Sequence, residues 1–173
     1  MTFSLYAATI PSCRQILAAL AALLKKADAF AAEQGIPTGD IVRARLAEDM
    51  LPFGYQVKAV VHHSLGAVEG VRKGVFSPDR GAWPEDMPGL EKLVSDALAA
   101  LAAIDPAEID GFVGRPMCFS VGDMRMDFTA EDFLLSFSQP NFYFHATTAY
   151  DILRWKGVPL GKRDFIGRPR IIG

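Results

Sequence analysis

The sequence predicts an all-α protein, an up-down bundle of four long helices with a small β-hairpin inserted near residues 115–128. Apolar residues recur at steps of three and four over four long stretches, as on the buried face of a helix. Half of the 173 residues are hydrophobic and 22% are charged, which suits one globular domain over 1–173. The helical period gives way to alternation once, around Gly122 and Asp123, where we expect the hairpin.

The N-terminal half contains two of the predicted long helices. The first covers about 4–34, where Gly35 is a natural stop. The second covers about 50–72. On that helix His62 falls at the edge of the apolar stripe, whereas His63 is expected to point away from the core.

The C-terminal half contains the other two predicted long helices. A Pro/Gly-rich loop over 73–88 leads into a helix over about 89–103. After the hairpin, Thr129 is expected to cap a fourth helix that runs to about residue 155. Pro140 lies inside this helix and is predicted to kink it, because proline removes one backbone hydrogen bond.

Composition excludes several classes of function. A net charge of -2 provides no basic surface for nucleic acid. The N-terminus does not have the pattern of a signal peptide, and the most apolar stretch, Ile16 to Leu24, is well short of the roughly 20 residues of a membrane span. Two cysteines favour a reducing compartment, with Cys13 as a small core residue. We therefore expect a cytoplasmic protein with no membrane or nucleic-acid partner.

Two polar side chains interrupt the apolar face of the fourth helix. Asn141 and His145 lie one turn apart on that face. A buried amide or imidazole without a partner costs about 1–3 kcal/mol. The partner is therefore a neighbouring helix, a water, a metal ion or a ligand, and the residues themselves leave this choice open.

The surroundings of this pair resemble a known superfamily. The segments that carry the resemblance are Asn141-Phe-Tyr-Phe-His145, Thr147 to Arg154 and Gly157 to Gly161. They are similar to the bacterial DinB/YfiT-like four-helix bundles, which are regarded as metal-dependent enzymes. The resemblance covers essentially the whole chain and is closest to a branch described only as a domain of unknown function.

The resemblance implies a metal site with an altered set of ligands. The superfamily pattern is one histidine on the second helix and His-x-x-x-His on the fourth. In this chain His145 matches the second histidine of that pair, Asn141 stands in place of the first, and His62 matches the helix-two histidine. The implied ligands of a divalent ion, zinc or nickel, are His62, Asn141 and His145. An asparagine amide is a poor ligand for these ions because its oxygen is neutral and hard.

Two hypotheses about function follow, and whether the protein is an enzyme stays open. The first is an altered divalent-metal-dependent transferase or hydrolase, in which the ion lowers the pKa of a thiol or water. Asp49, Tyr55 and Tyr150 are further candidate pocket residues, although Asp49 also suits a helix cap and Tyr150 a core position. The alternative is a metal-free small-ligand binder or dimeric scaffold, in which Asn141 and His145 are a hydrogen-bonded core pair.

Neither hypothesis names a substrate, and the small-molecule ligand is unknown. The sequence contains no CxxC motif and no phosphate-binding glycine loop. Phe142, Tyr143 and Phe144 make the fourth helix apolar nearly all round, which predicts a homodimer, because such a helix is buried in a core or between subunits. The basic tail over 162–170 is interpreted as solvated or as packing against another subunit.

Overall fold

The computed structural model describes residues 4–172, which form a mostly helical structure with a small three-stranded sheet. The helices are α1 (Leu5–Gln34), α2 (Thr38–Val42), α3 (Phe53–Val61), α4 (Ala67–Lys73), α5 (Met87–Ala102), α6 (Pro106–Asp110), α7 (Ala130–Asp132), α8 (Gln139–Trp155) and α9 (Lys162–Ile166). The strands are β1 (Val75–Phe76), β2 (Pro116–Val121) and β3 (Met124–Thr129). A first π-helical segment, His62–Gly66, joins α3 to α4, and a second, Phe133–Ser138, joins α7 to α8.

Local sequence signals account for most helix ends. The side-chain oxygens of Ser4, Asp86 and Thr129 each accept a backbone N–H in the first turn of α1, α5 and α7. Gly35 ends α1 with a φ of 64°, a conformation that favours glycine. Helix α3 begins directly after Pro52, without a side-chain cap.

The core lies between the long helices. Helix α1 packs along α5, and α3 packs against both α8 and α5. The largest fully buried side chains include Phe53, Phe133 and Phe142. Cys13 is buried, as predicted, and burial raises the pKa of its thiol to about 12, so this thiol is unreactive at neutral pH.

The predicted hairpin is confirmed, and the sheet contains one strand more than predicted. Strands β2 and β3 pair in antiparallel fashion around a turn at Gly122, which has a φ of 56°. Strand β1 pairs in parallel with β2 and lies inside the stretch predicted to be a loop. A two-residue strand is too short to show a period of two, which explains why the sequence does not reveal it. Its Phe76 side chain is buried.

The two π-helical segments interrupt the second and fourth predicted helices. A π turn holds one more residue than an α-helical turn, so it changes which side of the helix the residues within and after it occupy. The expectation that His63 points away from the core is wrong, because Val60 and not Val61 is fully buried on this helix, and His63 follows Val60 by three residues on the same side. His63 is partly buried and its ring packs against Phe137, with ring centroids 6.2 Å apart. Pro140 lies in the first turn of α8, directly after the second π-helical segment.

The surface predictions concern the aromatic residues of α8 and the basic C-terminal tail. Phe142 is fully buried, whereas Tyr143 and Phe144 are 37% and 58% exposed. The homodimer stays a prediction. The basic tail packs back on its own chain, because the Arg170 guanidinium donates to the side-chain oxygens of Ser12 and Gln15 on α1.

Helix α1 is the one helix within residues 4–172 that is long and apolar enough to cross a membrane by length and composition. Half of its most apolar window is buried inside the protein. The core helix of a soluble protein has the same properties, so this observation is weak evidence for a membrane span.

A histidine-lined cavity as the candidate functional site

A cavity of about 210 Å³ lies between α3, the first π-helical segment, the segment around β1, and α8. It brings together Tyr55, His62 and His63 from the first half of the chain with Asn141 and His145 from α8. The remaining lining residues are Lys58, Ala59, Phe76, Pro78, Asp79, Phe119 and Phe137. The cavity therefore combines three imidazoles and one amide with a largely aromatic wall.

Two of the residues predicted for this region lie elsewhere. Asp49 is exposed in a turn before Pro52, and it caps no helix because α3 begins only after that proline. Tyr150 packs its ring against Phe165 of α9, with centroids 5.8 Å apart. Tyr150 follows His145 by five residues in α8. This spacing places it on a different side of the helix, away from the cavity.

Gln56 determines which ring nitrogen of His145 carries the proton. The Nδ1 atom of His145 lies 2.7 Å from Oε1 of Gln56. The amide nitrogen of Gln56 donates to the carbonyl of Leu51 at 2.8 Å, which turns Oε1 toward the histidine. Because Oε1 only accepts, Nδ1 of His145 carries the proton and Nε2 keeps a lone pair.

The same reasoning applies to His63 and Ser138. The Ser138 hydroxyl donates to the backbone carbonyl of His63 at 3.0 Å. Its oxygen therefore accepts from Nδ1 of His63, at the longer distance of 3.4 Å. The proton on Nδ1 leaves a lone pair on Nε2 of His63. The rings of His63 and His145 are stacked, with centroids 5.7 Å apart and planes 18° apart.

His62 is held differently. Its Nε2 donates to the carbonyl of Ser77 at 2.9 Å, and its ring stacks on Phe76 with centroids 4.4 Å apart. Its Nδ1 lies over Gly66, where an added Cβ would come within 2.8 Å of that nitrogen. His62 thus binds the segment after β1, and its lone pair faces the helix backbone.

Asn141 and His145 do not form the hydrogen-bonded core pair that the alternative hypothesis expects. The amide nitrogen of Asn141 donates to the carbonyl of Phe137 at 2.7 Å, and His145 bonds to Gln56. Side chains on a helix tilt toward its N-terminus, so Asn141 reaches back to the preceding turn. The Oδ1 atom of Asn141 remains available as an acceptor.

All three imidazoles are neutral at pH 7. Burial, together with the neighbouring imidazoles of His145 and His62, lowers the pKa of His63 to about 3. Burial and the nearby His62 lower the pKa of His145 to about 4, and burial also lowers the pKa of His62. The Nε2 atoms of His63 and His145 have no hydrogen-bond partner among residues 4–172. Because no buried polar side-chain atom there lacks a partner, these nitrogens are reached from solvent.

The comparison with known proteins identifies the family. The sequence model of DUF1993, described as a domain of unknown function, matches residues 5–166. The chain belongs to the DUF1993 family. It is also similar to the crystal structure of a DinB family member protein from Shewanella denitrificans, with 25% identity and a TM-score of 0.81, over 98% of this chain and 95% of that one. The predicted relation to DinB-like proteins is confirmed, and no protein of curated function matches the chain.

In this DUF1993 member a buried lysine closes one end of the cavity. Lys58 is 7% exposed. Its ammonium contacts a carboxylate oxygen of Asp79 at 3.0 Å and donates to the carbonyls of Asp79 and Gly81 at 3.2 and 2.6 Å. Trp83 from the same loop packs edge-on against Tyr55, with centroids 5.6 Å apart. The loop over 77–83 is therefore held to α3 by the ammonium of Lys58 and by the contact between the rings of Trp83 and Tyr55.

Replacing Lys58 with methionine is expected to loosen this loop. The substitution keeps most of the length of the side chain and leaves three loop oxygens without their donor, so amide hydrogen exchange over 77–83 should accelerate by at least about tenfold. The matched control is Lys92→Met, which removes an exposed pair with Asp96 on α5 and should leave loop exchange unchanged. Unchanged loop exchange in Lys58→Met would contradict the role of Lys58.

Three contributors to the site do not stand out in the sequence, namely Gln56, His63 and Ser138. A signal for two of them exists, since Gln56 and His63 are seven residues apart and share a helical face with the buried Val60. Within residues 4–172, no group of three or more His, Cys, Asp or Glu side chains is arranged to hold a metal ion. The neutral acceptors of the cavity include two imidazole nitrogens and one amide oxygen.

Proposed function

We propose that the protein binds a divalent transition-metal ion, zinc or nickel, between His63 and His145 and acts as a metal-dependent transferase or hydrolase. One observation supports this above all: both rings donate Nδ1–H to a protein oxygen and keep an accessible Nε2 lone pair. Histidines that ligate metals almost always donate their other ring nitrogen in this way. His63 thus takes the place of His62 in the ligand set, with Asn141 Oδ1 as the third donor.

The chemistry of the donors fits a late divalent ion, although the site is expected to be weaker than one with three imidazoles. Two neutral imidazoles and an amide oxygen leave at least one position free for water or substrate. The hard amide oxygen lowers affinity for zinc and nickel. When bound, such an ion would lower the pKa of a water molecule or a thiol. Gln56 and Ser138 orient the two rings.

The proposal includes the four-helix arrangement. Helices α1, α3 with α4, α5, and α8 would be the four members of an up-down bundle, as in DinB-like proteins. Facing helices of such bundles build metal sites from inward side chains. The packing of α3 against α8, which carry Gln56 and His145, supports this arrangement.

The test is the metal content of the untagged protein, measured by mass spectrometry after expression with zinc, nickel and manganese available. We expect near one ion per chain in the wild type. His63→Gln and His145→Gln should each lose it, because the substitution removes an Nε2 ligand. The matched control is His62→Gln, which lines the same cavity and can still donate to Ser77, and which should keep the ion.

Two outcomes would contradict the proposal. Loss of the ion in His62→Gln together with retention in His63→Gln would return the ligand set to the one implied by sequence. Absence of an ion from every variant would leave the second candidate, a metal-free binder of a small organic molecule. The aromatic wall favours that candidate, as does the lack of an anionic metal ligand among Asn141, His63 and His145.

A further inference from the structure

We infer that the cavity binds a single-ring aromatic molecule with a neutral O–H or N–H donor, of the class of a phenol or an azole. The inference rests on the proposed function in one respect, since it places the ligand in the same cavity. It concerns the cavity without a bound ion, because the Nε2 lone pairs of His63 and His145 that would hold an ion are the acceptors that the ligand uses.

The shape of the cavity suits one ring. Three phenylalanine rings line one side, with Phe119 and Phe137 4.9 Å apart and Phe76 6.4 Å from Phe119. Tyr55 lines the cavity as well. A volume of about 210 Å³ is somewhat larger than an engineered cavity of about 150 Å³ that binds benzene. There is room for one substituted ring, and ring faces and edges are the surfaces that such walls pack against best.

The polar side of the cavity, within residues 4–172, carries three neutral acceptors and no unpaired cation. The Nε2 atoms of His63 and His145 carry lone pairs, and Oδ1 of Asn141 is a carbonyl oxygen. A ligand that carries a donor satisfies one or more of them. A carboxylate would meet the lone pairs of the two imidazoles, and the donors beside them, the Tyr55 hydroxyl and the second N–H of Asn141, are neutral and do not offset the hydration that a buried charge loses.

The one lysine on the cavity wall does not change this selectivity. An ammonium has three donors, and those of Lys58 face three oxygens, one of them the carboxylate of Asp79. An incoming anion would therefore meet a cation that is already neutralised. The cavity should discriminate against anionic rings as well as against rings without any donor.

The experiment compares phenol, toluene and benzoate, three single-ring probes, by ligand-observed NMR titration of chelator-treated protein. Phenol and toluene have the same number of heavy atoms and differ in one donor. We expect phenol to bind at least about tenfold more tightly than toluene, the effect of one hydrogen bond to a desolvated acceptor. Benzoate should show no binding at concentrations where phenol saturates.

Two variants locate the effect. The double variant His63→Phe with His145→Phe keeps both rings and removes both Nε2 lone pairs, so its preference for phenol over toluene should fall well below that of the wild type. His62→Phe is the matched control, since the free nitrogen of His62 faces Gly66, and the preference should persist there. Toluene binding reports an intact cavity in each variant, so a variant that fails to fold is recognised.

Equal affinity of the wild type for phenol and toluene, binding of benzoate, or an unchanged preference in the double variant would each overturn the inference. The outcome is separable from that of the metal experiment. A protein that contains the ion but, once chelated, does not prefer phenol keeps the proposed function and loses this inference. A protein without the ion that binds the three probes in the expected order keeps the inference and loses the metal proposal.

Discussion

Acidification from pH 6.5 to 5 is expected to lower the free energy of unfolding of the chelator-treated protein by about 3 kcal/mol, roughly 1.5 for each of two histidines. The pKa values of His63 and His145, about 3 and about 4, lie below the value of about 6.5 of an unfolded histidine. The unfolded chain therefore binds more protons in this range. The stabilisation is complete above pH 6.5 and is lost as the pH falls toward the pKa values of the folded protein.

The window from pH 6.5 to 5 separates the histidines from the carboxylates, most of which titrate near pH 4. Urea unfolding at pH 7, 6 and 5 measures the effect. His63→Gln and His145→Gln should each remove about half of the pH dependence. His62 also has a lowered pKa and contributes in the same direction. Equal stability at pH 7 and pH 5 would show that the imidazoles of the cavity are protonated without cost.

Phe133→Ala is expected to lower the free energy of unfolding by about 3–5 kcal/mol, the usual cost of a phenylalanine deleted from a core. Phe133 is fully buried in the second π-helical segment. Its ring lies 5.1 Å from that of Phe76, 5.5 Å from Phe137 and 5.9 Å from Phe128, measured between centroids. It therefore joins the sheet to the helices and supports two walls of the cavity from behind.

Phe144→Ala is the matched control for this substitution. Phe144 is a phenylalanine on the adjoining helix α8 and is 58% exposed, so its removal should cost well under about 1 kcal/mol. Both variants are measured by urea unfolding at pH 7. A loss below about 1 kcal/mol in Phe133→Ala would mean that the surrounding rings collapse into the space it leaves.

Much of the secondary structure follows from local sequence. The helix predicted over 89–103 is observed as Met87–Ala102, and the predicted hairpin near 115–128 as β2 and β3. Periodicity and caps are properties of neighbouring residues, which explains this agreement. Strand β1 and the two π-helical segments were not predicted, because each depends on what packs against it. The Ser138 hydroxyl, for example, joins the two π-helical segments through the carbonyl of His63.

The sequence by itself determined the family relation, and four of the residues that it singled out, Tyr55, His62, Asn141 and His145, line one cavity. Only the tertiary structure decided which imidazoles offer a lone pair. That choice depends on the hydrogen bond of the other ring nitrogen, and the partners lie far away in the chain: Gln56 is 89 positions from His145, and Ser138 is 75 from His63. The packing of α3 buried Val60 rather than Val61, which places His63 on the side of the cavity, and contacts across the fold oriented its ring.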